Sequence, residues 1–187
     1  TILGANFPGG RGMGEPVRLI VDLPNDADVV DLMIHRPGER LIVASSDGDG
    51  FIVPADEVVA QTRAGKQMMN LGDGAVMAAC VPVAGDHVAV ASKNRKLLVF
   101  PLAELPEMTR GKGVRLQKYN MTRGRQGVLE LDGGLSDLTT FTLAEGLSWP
   151  MPNGNTRTET GIAEWVAKRA GVGRAPPHGF PRDNRFR

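Results

Sequence analysis

Leu41-Ile-Val-Ala-Ser-Ser-Asp-Gly-Asp-Gly-Phe-Ile-Val-Pro-Ala-Asp-Glu-Val58 lies over Val88-Ala-Val-Ala-Ser-Lys-Asn-Arg-Lys-Leu-Leu-Val-Phe-Pro-Leu-Ala-Glu-Leu105 without a gap, at an offset of 47 residues. The match continues at the same offset through Thr62-Arg-Ala-Gly-Lys66 and Thr109-Arg-Gly-Lys-Gly113. A period of this length marks blades or an array, in which each repeat is one supersecondary unit and neighbours bury each other's apolar faces.

Each copy reads as a β-hairpin. A short apolar run (Leu41 to Ala44, Val88 to Ala91) meets a polar turn (Ser45 to Gly50, Ser92 to Lys96) and then a second apolar run. The turns carry Asp47-Gly48 and Asn94-Arg95, where Asp, Asn and Gly tolerate the left-handed backbone of a tight hairpin. Pro54 and Pro101 lack the amide donor of a central strand, so they mark a strand end or an edge. The unit is strand, turn, strand, proline, short polar connection, basic glycine-rich loop.

Composition agrees with a mainly β class. Twenty-four Gly and thirteen Pro against 5% aromatic residues suit a turn-rich architecture better than a helical bundle, where both residues break the elements. The single cysteine, Cys80, excludes an internal disulfide and a multi-cysteine metal site, fits a reducing compartment, and reads as a small buried hydrophobe. No apolar run reaches the length of a membrane span, and the N-terminus lacks a signal-peptide pattern. The expected location is the cytoplasm. Thr1 in place of an initiator Met suggests an excised domain.

The formal net charge of +1 conceals a segregation. Residues 1–59 carry a net −6, residues 60–127 a net +7, and residues 128–187 a net charge of zero. Such asymmetry points to polyanion contact by one part of the chain.

Residues 1–16 read as a leading loop, 17–150 as blades, and 156–187 as a short helix with a basic, Pro-rich segment, all in one domain spanning 1–187. A strand is predicted over 17–23, followed by an acidic stretch from Asp22 to Asp31 and a second apolar stretch from Val29 to His35. A further strand is predicted over 76–83. Gly127 to Leu131, the turn Asp132-Gly-Gly134 and Leu138 to Leu143 make a third hairpin. Ile162, Trp165, Val166 and Arg169 share one helical face, which predicts a helix over 160–170 with Gly171 as its cap. The spacing allows three to five blades, and the tail is either an ordered strap or loose.

Sequence motifs for catalysis fail on detail. Gly65-Lys66 is followed by Gln67, and Lys112 by Gly113, where a phosphate-binding P-loop needs Ser or Thr. His35, His87 and His178 are far apart, and Asp47-Gly-Asp-Gly-Phe51 lacks the third acid and closing Glu of a calcium loop. No cofactor, metal or catalytic residue is expected. The basic residues remain: Arg63, Lys66, Lys93, Arg95, Lys96, Arg110, Lys112, Arg115, Lys118, Arg123 and Arg125. They come from turns and inter-blade segments that repetition aligns into a stripe. A stripe of Lys and Arg with nearby glycines suits a duplex backbone, because phosphate binding is driven by counterion release.

Thr109 to Tyr119, Gly48 to Phe51, Ala60 to Gln67, Asn94 to Pro101 and the closing Gly179-Phe-Pro-Arg-Asp-Asn-Arg-Phe186 together resemble the C-terminal domain of the topoisomerase IV A-type chain and of its gyrase relatives. The resemblance implies a β-pinwheel, a propeller-like curved array of four-stranded blades that exchange strands and bind double-stranded DNA along a basic outer edge. It implies a non-catalytic domain that bends DNA for a cleavage core lying elsewhere in an ATP-dependent type II topoisomerase, a heterotetramer of A and B subunits. The gyrase Q-R-R-G-G-K-G box is absent: the matching loops read Thr-Arg-Gly-Lys-Gly at 109–113 and Thr-Arg-Ala-Gly-Lys at 62–66, so gyrase-like wrapping is not expected. The family's active-site tyrosine lies outside this region, and Tyr119 is not assigned that role. The other reading is a platform that recruits a chromosome-organising or replication protein through the acidic stretch or the Trp165 helix.

Overall fold

The repeated stretch folds as two copies of one hairpin, and the chain then repeats the scheme a third time with little sequence likeness. The computed structural model describes residues 1–7, 13–123 and 129–187. In chain order its elements are a one-turn helix α1 (Val17–Ile20) and strands β1 (Arg40–Ser45), β2 (Asp49–Pro54), β3 (Met77–Pro82), β4 (His87–Ser92), β5 (Leu97–Pro101), β6 (Val114–Arg115), β7 (Asn120–Arg123), β8 (Leu129–Asp132), β9 (Leu135–Phe141), β10 (Leu147–Pro150) and β11 (Thr156–Glu159). The two prolines end their strands as expected, and each is followed by a 3₁₀ turn, Ala55–Val58 and Leu102–Glu104. The hairpin turns carry equivalent left-handed residues, Gly48 (φ 86°) and Arg95 (φ 62°). Glycine is required at the first because a Cβ there would clash with the Tyr119 ring, whereas Arg95 is held by its own hydrogen bonds to Pro181 O and Asn184 Oδ1.

Neighbouring units exchange strands. The first sheet has the order β3-β1-β2-β6, so the hairpin β1–β2 is completed on both edges by strands that follow it in sequence. The second has the order β9-β4-β5, and its free β5 edge receives single bridges from Val166 and Arg174. The correspondence holds at the offset of the repeat. Ile52 bridges Glu107 in parallel and Val99 bridges Val166 in parallel, while Gly50 pairs antiparallel with Val114 and Leu97 with Arg174. The hairpin β10–β11 followed by the 3₁₀ turn Ile162–Trp165 is the third copy. The described residues therefore hold three copies of the repeat hairpin, two of them completed by exchange, besides the separate antiparallel pair β7–β8.

Both faces of the first two hairpins are buried, which is why their strands are continuous apolar runs rather than alternating ones. Ile42, Ala44 and Ile52 of the first meet Val88, Val90, Leu98 and Phe100 of the second. The other face of the second, Ala89, Ala91, Leu97 and Val99, meets Leu147, Trp149 and Ile162 of the third. Each large side chain in these layers contributes roughly 1.5–3 kcal/mol by leaving water. The third hairpin alternates: Leu147 and Trp149 are 1% exposed, and Ser148, Pro150, Thr156 and Thr158 face solvent. The closing segment is an ordered strap. Phe180 stacks edge-on against Trp149 and Phe186, the Trp149 indole donates to Gly179 O (3.1 Å), and the Phe186 amide donates to buried Asp137 (2.8 Å).

Three expectations are corrected. The strand over 17–23 does not form: Val17–Ile20 is the single turn α1, and residues 17–23 belong to none of the sheets. The third hairpin expected over 127–143 does not form. β8 pairs with β7 and β9 with β4, and the chain changes sheet at Gly133 (φ 123°) and Gly134 (φ 100°). The helix over 160–170 is only the 3₁₀ turn Ile162–Trp165. Beyond it the backbone is drawn out along β5, with the Ala167 amide donating to Val99 O (2.8 Å), so tertiary pairing overrides the helical side-chain period. Ala170 (φ 65°), not Gly171, takes the left-handed conformation there.

Candidate nucleic-acid interface

The basic loops follow from strand exchange. A chain that runs along the edge of β2 from Glu107 to Val114 must bulge between those two pairings, and the bulge is 108–113. Gly113 (φ 84°) lets the backbone pass against the Gly50 carbonyl, where a Cβ would clash. Gly173 (φ 82°) does the same against Leu97 O, where a Cβ would stand 2.7 Å away. Residues 167–173 are thus the counterpart, on the second hairpin, of 108–113 on the first.

The loops connect to one another in series. The Asn70 amide donates to Gly111 O (2.9 Å) and Arg110 donates to Gln67 Oε1 (3.2 Å), joining 62–67 to 109–113. One unit on, the Lys118 amide donates to Gly171 O (3.0 Å) and Arg169 donates to Arg115 O (2.6 Å). Loops 62–67, 109–115 and 168–174 form a ladder of three, each tied to the next.

Within that ladder the cations differ in availability. Arg63 is exposed but donates to Leu19 O and Ile20 O, and Lys66 pairs with Glu57 (3.3 Å). Buried Asp49 lies between Lys112 (3.5 Å from Oδ2) and Arg115 (Nε 3.1 Å from Oδ1), and Arg115 also donates to Asp47 O. Arg115 is therefore largely a structural partner, while Lys112, with its side chain 58% exposed, projects outward. Arg110 and Lys118 are exposed and make no ion pair with a described residue.

The other predicted residues stand apart from the ladder. Lys93, Arg95 and Lys96 occupy the β4–β5 turn, where Asn94 donates to Asp132 O (2.8 Å) and Arg95 is pinned to the strap. Arg123 is exposed on β7, and Arg125 lies outside the described residues. Sequence reasoning missed Lys168 and Arg174, both exposed, and Arg169, whose guanidinium holds Glu104 O (3.1 Å) and Arg115 O. The signal was Gly171-Val-Gly173 flanked by Lys168, Arg169 and Arg174, against Gly111-Lys-Gly113 flanked by Arg110 and Arg115, hidden by the lengthened connection and the helix-like period.

Tyr119 is 9% exposed, with its hydroxyl donating to Gln117 Oε1 (3.4 Å), and burial pushes its pKa up. Cys80 is pushed up to about 11, by burial first and the nearby Asp31 charge second. Neither is poised as a nucleophile at neutral pH. No group of His, Cys, Asp or Glu among the described residues is arranged to hold a metal ion, and no described helix is long and apolar enough to cross a membrane.

The family described as DNA gyrase C-terminal domain, beta-propeller, matches residues 39–84 and 86–134, two tandem copies whose starts are one repeat apart and coincide with the first two hairpin units. The chain belongs to that family. Curated relatives similar to it include the A-type chain of DNA topoisomerase 4 from Rickettsia conorii, 42% identical over 100% of this chain and 23% of the relative. Its counterpart from Caulobacter vibrioides is 41% identical over 97% and 22%. The chain thus spans about a quarter of the length of these relatives. Among solved structures, the Escherichia coli ParC C-terminal domain aligns with a TM-score of 0.74 at 24% identity, covering 95% of this chain and 71% of that one. A DNA gyrase A C-terminal domain aligns with a TM-score of 0.57 at 17% identity over 74% and 46%. These structural likenesses support the gyrase A-like propeller fold.

Proposed function

We propose that this chain is a non-catalytic DNA-binding module of a topoisomerase IV A-type chain. It holds double-stranded DNA along the ladder of basic loops, bends it, and presents it to a cleavage core carried elsewhere in an assembly of A and B subunits. The observation that carries this reading is the serial connection of 62–67, 109–115 and 168–174, which sets cations from successive units along one edge. Arg110, Lys112, Lys118, Lys168 and Arg174 contact phosphates, and Arg63, Lys66, Lys93, Arg95, Lys96 and Arg123 extend the field around them. Arg115 and Arg169 hold the loops in place. Binding follows phosphate spacing and duplex deformability rather than base edges. The module needs no cofactor, and the ATP-dependent chemistry belongs to the rest of the enzyme, in the cytoplasm with the nucleoid.

Fluorescence anisotropy with a labelled random-sequence duplex tests this. The expected result is tight binding at low salt, a steep negative slope of log K against log salt, and little sequence preference. Absence of binding at low salt contradicts it. The platform reading loses one of its two anchors, because Trp165 is half-buried with its indole donating to Ala175 O (2.8 Å) and is not presented on a helix.

A further inference from the structure

A buried carboxylate stands inside the ladder of basic loops. Asp49 opens β2 at the end of its turn, 4% exposed, with its amide donating to Ser45 Oγ (3.2 Å). Its Oδ1 lies 3.1 Å from Arg115 Nε, and Arg115 is anchored a second time on Asp47 O. Its Oδ2 is buried and accepts no hydrogen bond from a described residue, and the cation beside it is Lys112, 3.5 Å away. A carboxylate out of reach of water depends on such cations to offset its lost hydration. Lys112 has no second anchor among the described residues, and its side chain is 58% exposed.

The next hairpin reverses the sign at this place. Lys96 occupies it one repeat on, with the same amide bond, to Ser92 Oγ (3.1 Å). The residue after it, Leu97, pairs with Arg174 as Gly50 pairs with Val114. Loop 109–115 thus meets an acid on its hairpin and loop 168–174 meets a base. Neither Lys168 nor Arg174 makes an ion pair with a described residue.

We propose that Asp49 competes with DNA phosphate for Lys112, so that the rung at 109–115 grips a duplex more weakly than the rung at 168–174. The proposal rests on the DNA-binding reading above and gives Asp49 a positioning role within it. In the free chain the Lys112 ammonium compensates Oδ2. On the duplex it moves to a phosphate, Arg115 stays behind, and the buried carboxylate keeps one cation instead of two. The cost of that loss is subtracted from the new phosphate contact. Arg174 reaches a phosphate without leaving an acid uncompensated.

A double-mutant cycle on duplex affinity, measured by anisotropy at one low salt concentration with the intact chain, tests this. Asp49→Asn keeps the side-chain shape and is expected to tighten binding roughly fivefold, but less than about twofold when Lys112 is already Ala. An equal gain with and without Lys112 overturns the proposal, as does no gain in an Asp49→Asn chain whose Tm is that of the unmodified one. Two exposed truncations give the same answer without touching the buried acid. Lys112→Ala is expected to cost several-fold less affinity than Arg174→Ala, while each lowers the log–log slope by about 0.9. Equal losses of affinity overturn the proposal. No binding by the unmodified chain at low salt overturns the DNA-binding reading itself, whereas binding without coupling between Asp49 and Lys112 overturns the role of Asp49 alone.

Discussion

At its carboxyl end the array turns Leu147 and Trp149 inward and Ser148, Pro150, Thr156 and Thr158 outward, and the strap seals the inner side with Phe180 and Phe186. At its amino end the first hairpin is apolar on both faces, and the segment laid over it leaves Leu19, Leu32 and Ile34 from 66% to 82% exposed. The same backbone unit thus presents a polar outer face at one end and, at the other, an apolar face covered by an irregular segment. What decides is side-chain alternation: a hairpin with one polar face closes an array, and one with two apolar faces needs cover on both.

Substitutions sharpen the contrast. Trp149→Ala removes a fully buried indole, its hydrogen bond and its contact with Phe180, and is expected to cost about 3–5 kcal/mol in chemical denaturation. Leu32→Ala at the other end is expected to change stability by less than about 0.5 kcal/mol. A comparable loss at both positions breaks the comparison. Gly113→Ala and Gly173→Ala each force a Cβ onto a neighbouring carbonyl at positive φ and are expected to cost about 1–3 kcal/mol. If only Gly113→Ala is destabilising, the two loops are not equivalent. The smallest effect is chemical. With its thiol at about 11, Cys80 is on the order of one part in a thousand thiolate at pH 8. Iodoacetamide is therefore expected to modify it far more slowly than a free thiol, with a rate that rises as pH increases through 11. Fast labelling at pH 8 means that the amino-terminal cover opens readily.

Much of this was legible in the residues themselves. The gapless repeat located two hairpins, their turns and their proline ends, because the apolar runs and turn residues act locally. The third hairpin was overlooked although its turn carries Asn153-Gly154, a hairpin signal, because its strands are short and trade the two-faced apolar pattern of the first two for alternation. The helix expected over 160–170 failed for a related reason: Ile162 and Trp165 do turn inward, but the Val99 and Leu97 backbone takes the following residues as an edge. Of the site, the charged loops were visible and their partners were not. Asp49 between Lys112 and Arg115, and Glu104 under Arg169, are contacts across more than fifty residues of sequence. That Arg115 supports the edge while Lys168 and Arg174 lie on it emerges only once the loops are placed.

The central claim is that 168–174 is a phosphate-binding loop equivalent to 109–115. Its most direct test is the salt dependence of duplex binding for Arg110→Ala/Lys112→Ala and for Lys168→Ala/Arg174→Ala, each compared with the unmodified chain. Both pairs are expected to weaken binding for all sequences alike and to reduce the log–log slope by about 1.8, at roughly 0.9 per phosphate contact. A normal affinity and slope for Lys168→Ala/Arg174→Ala, beside a reduced slope for the first pair, contradicts the claim.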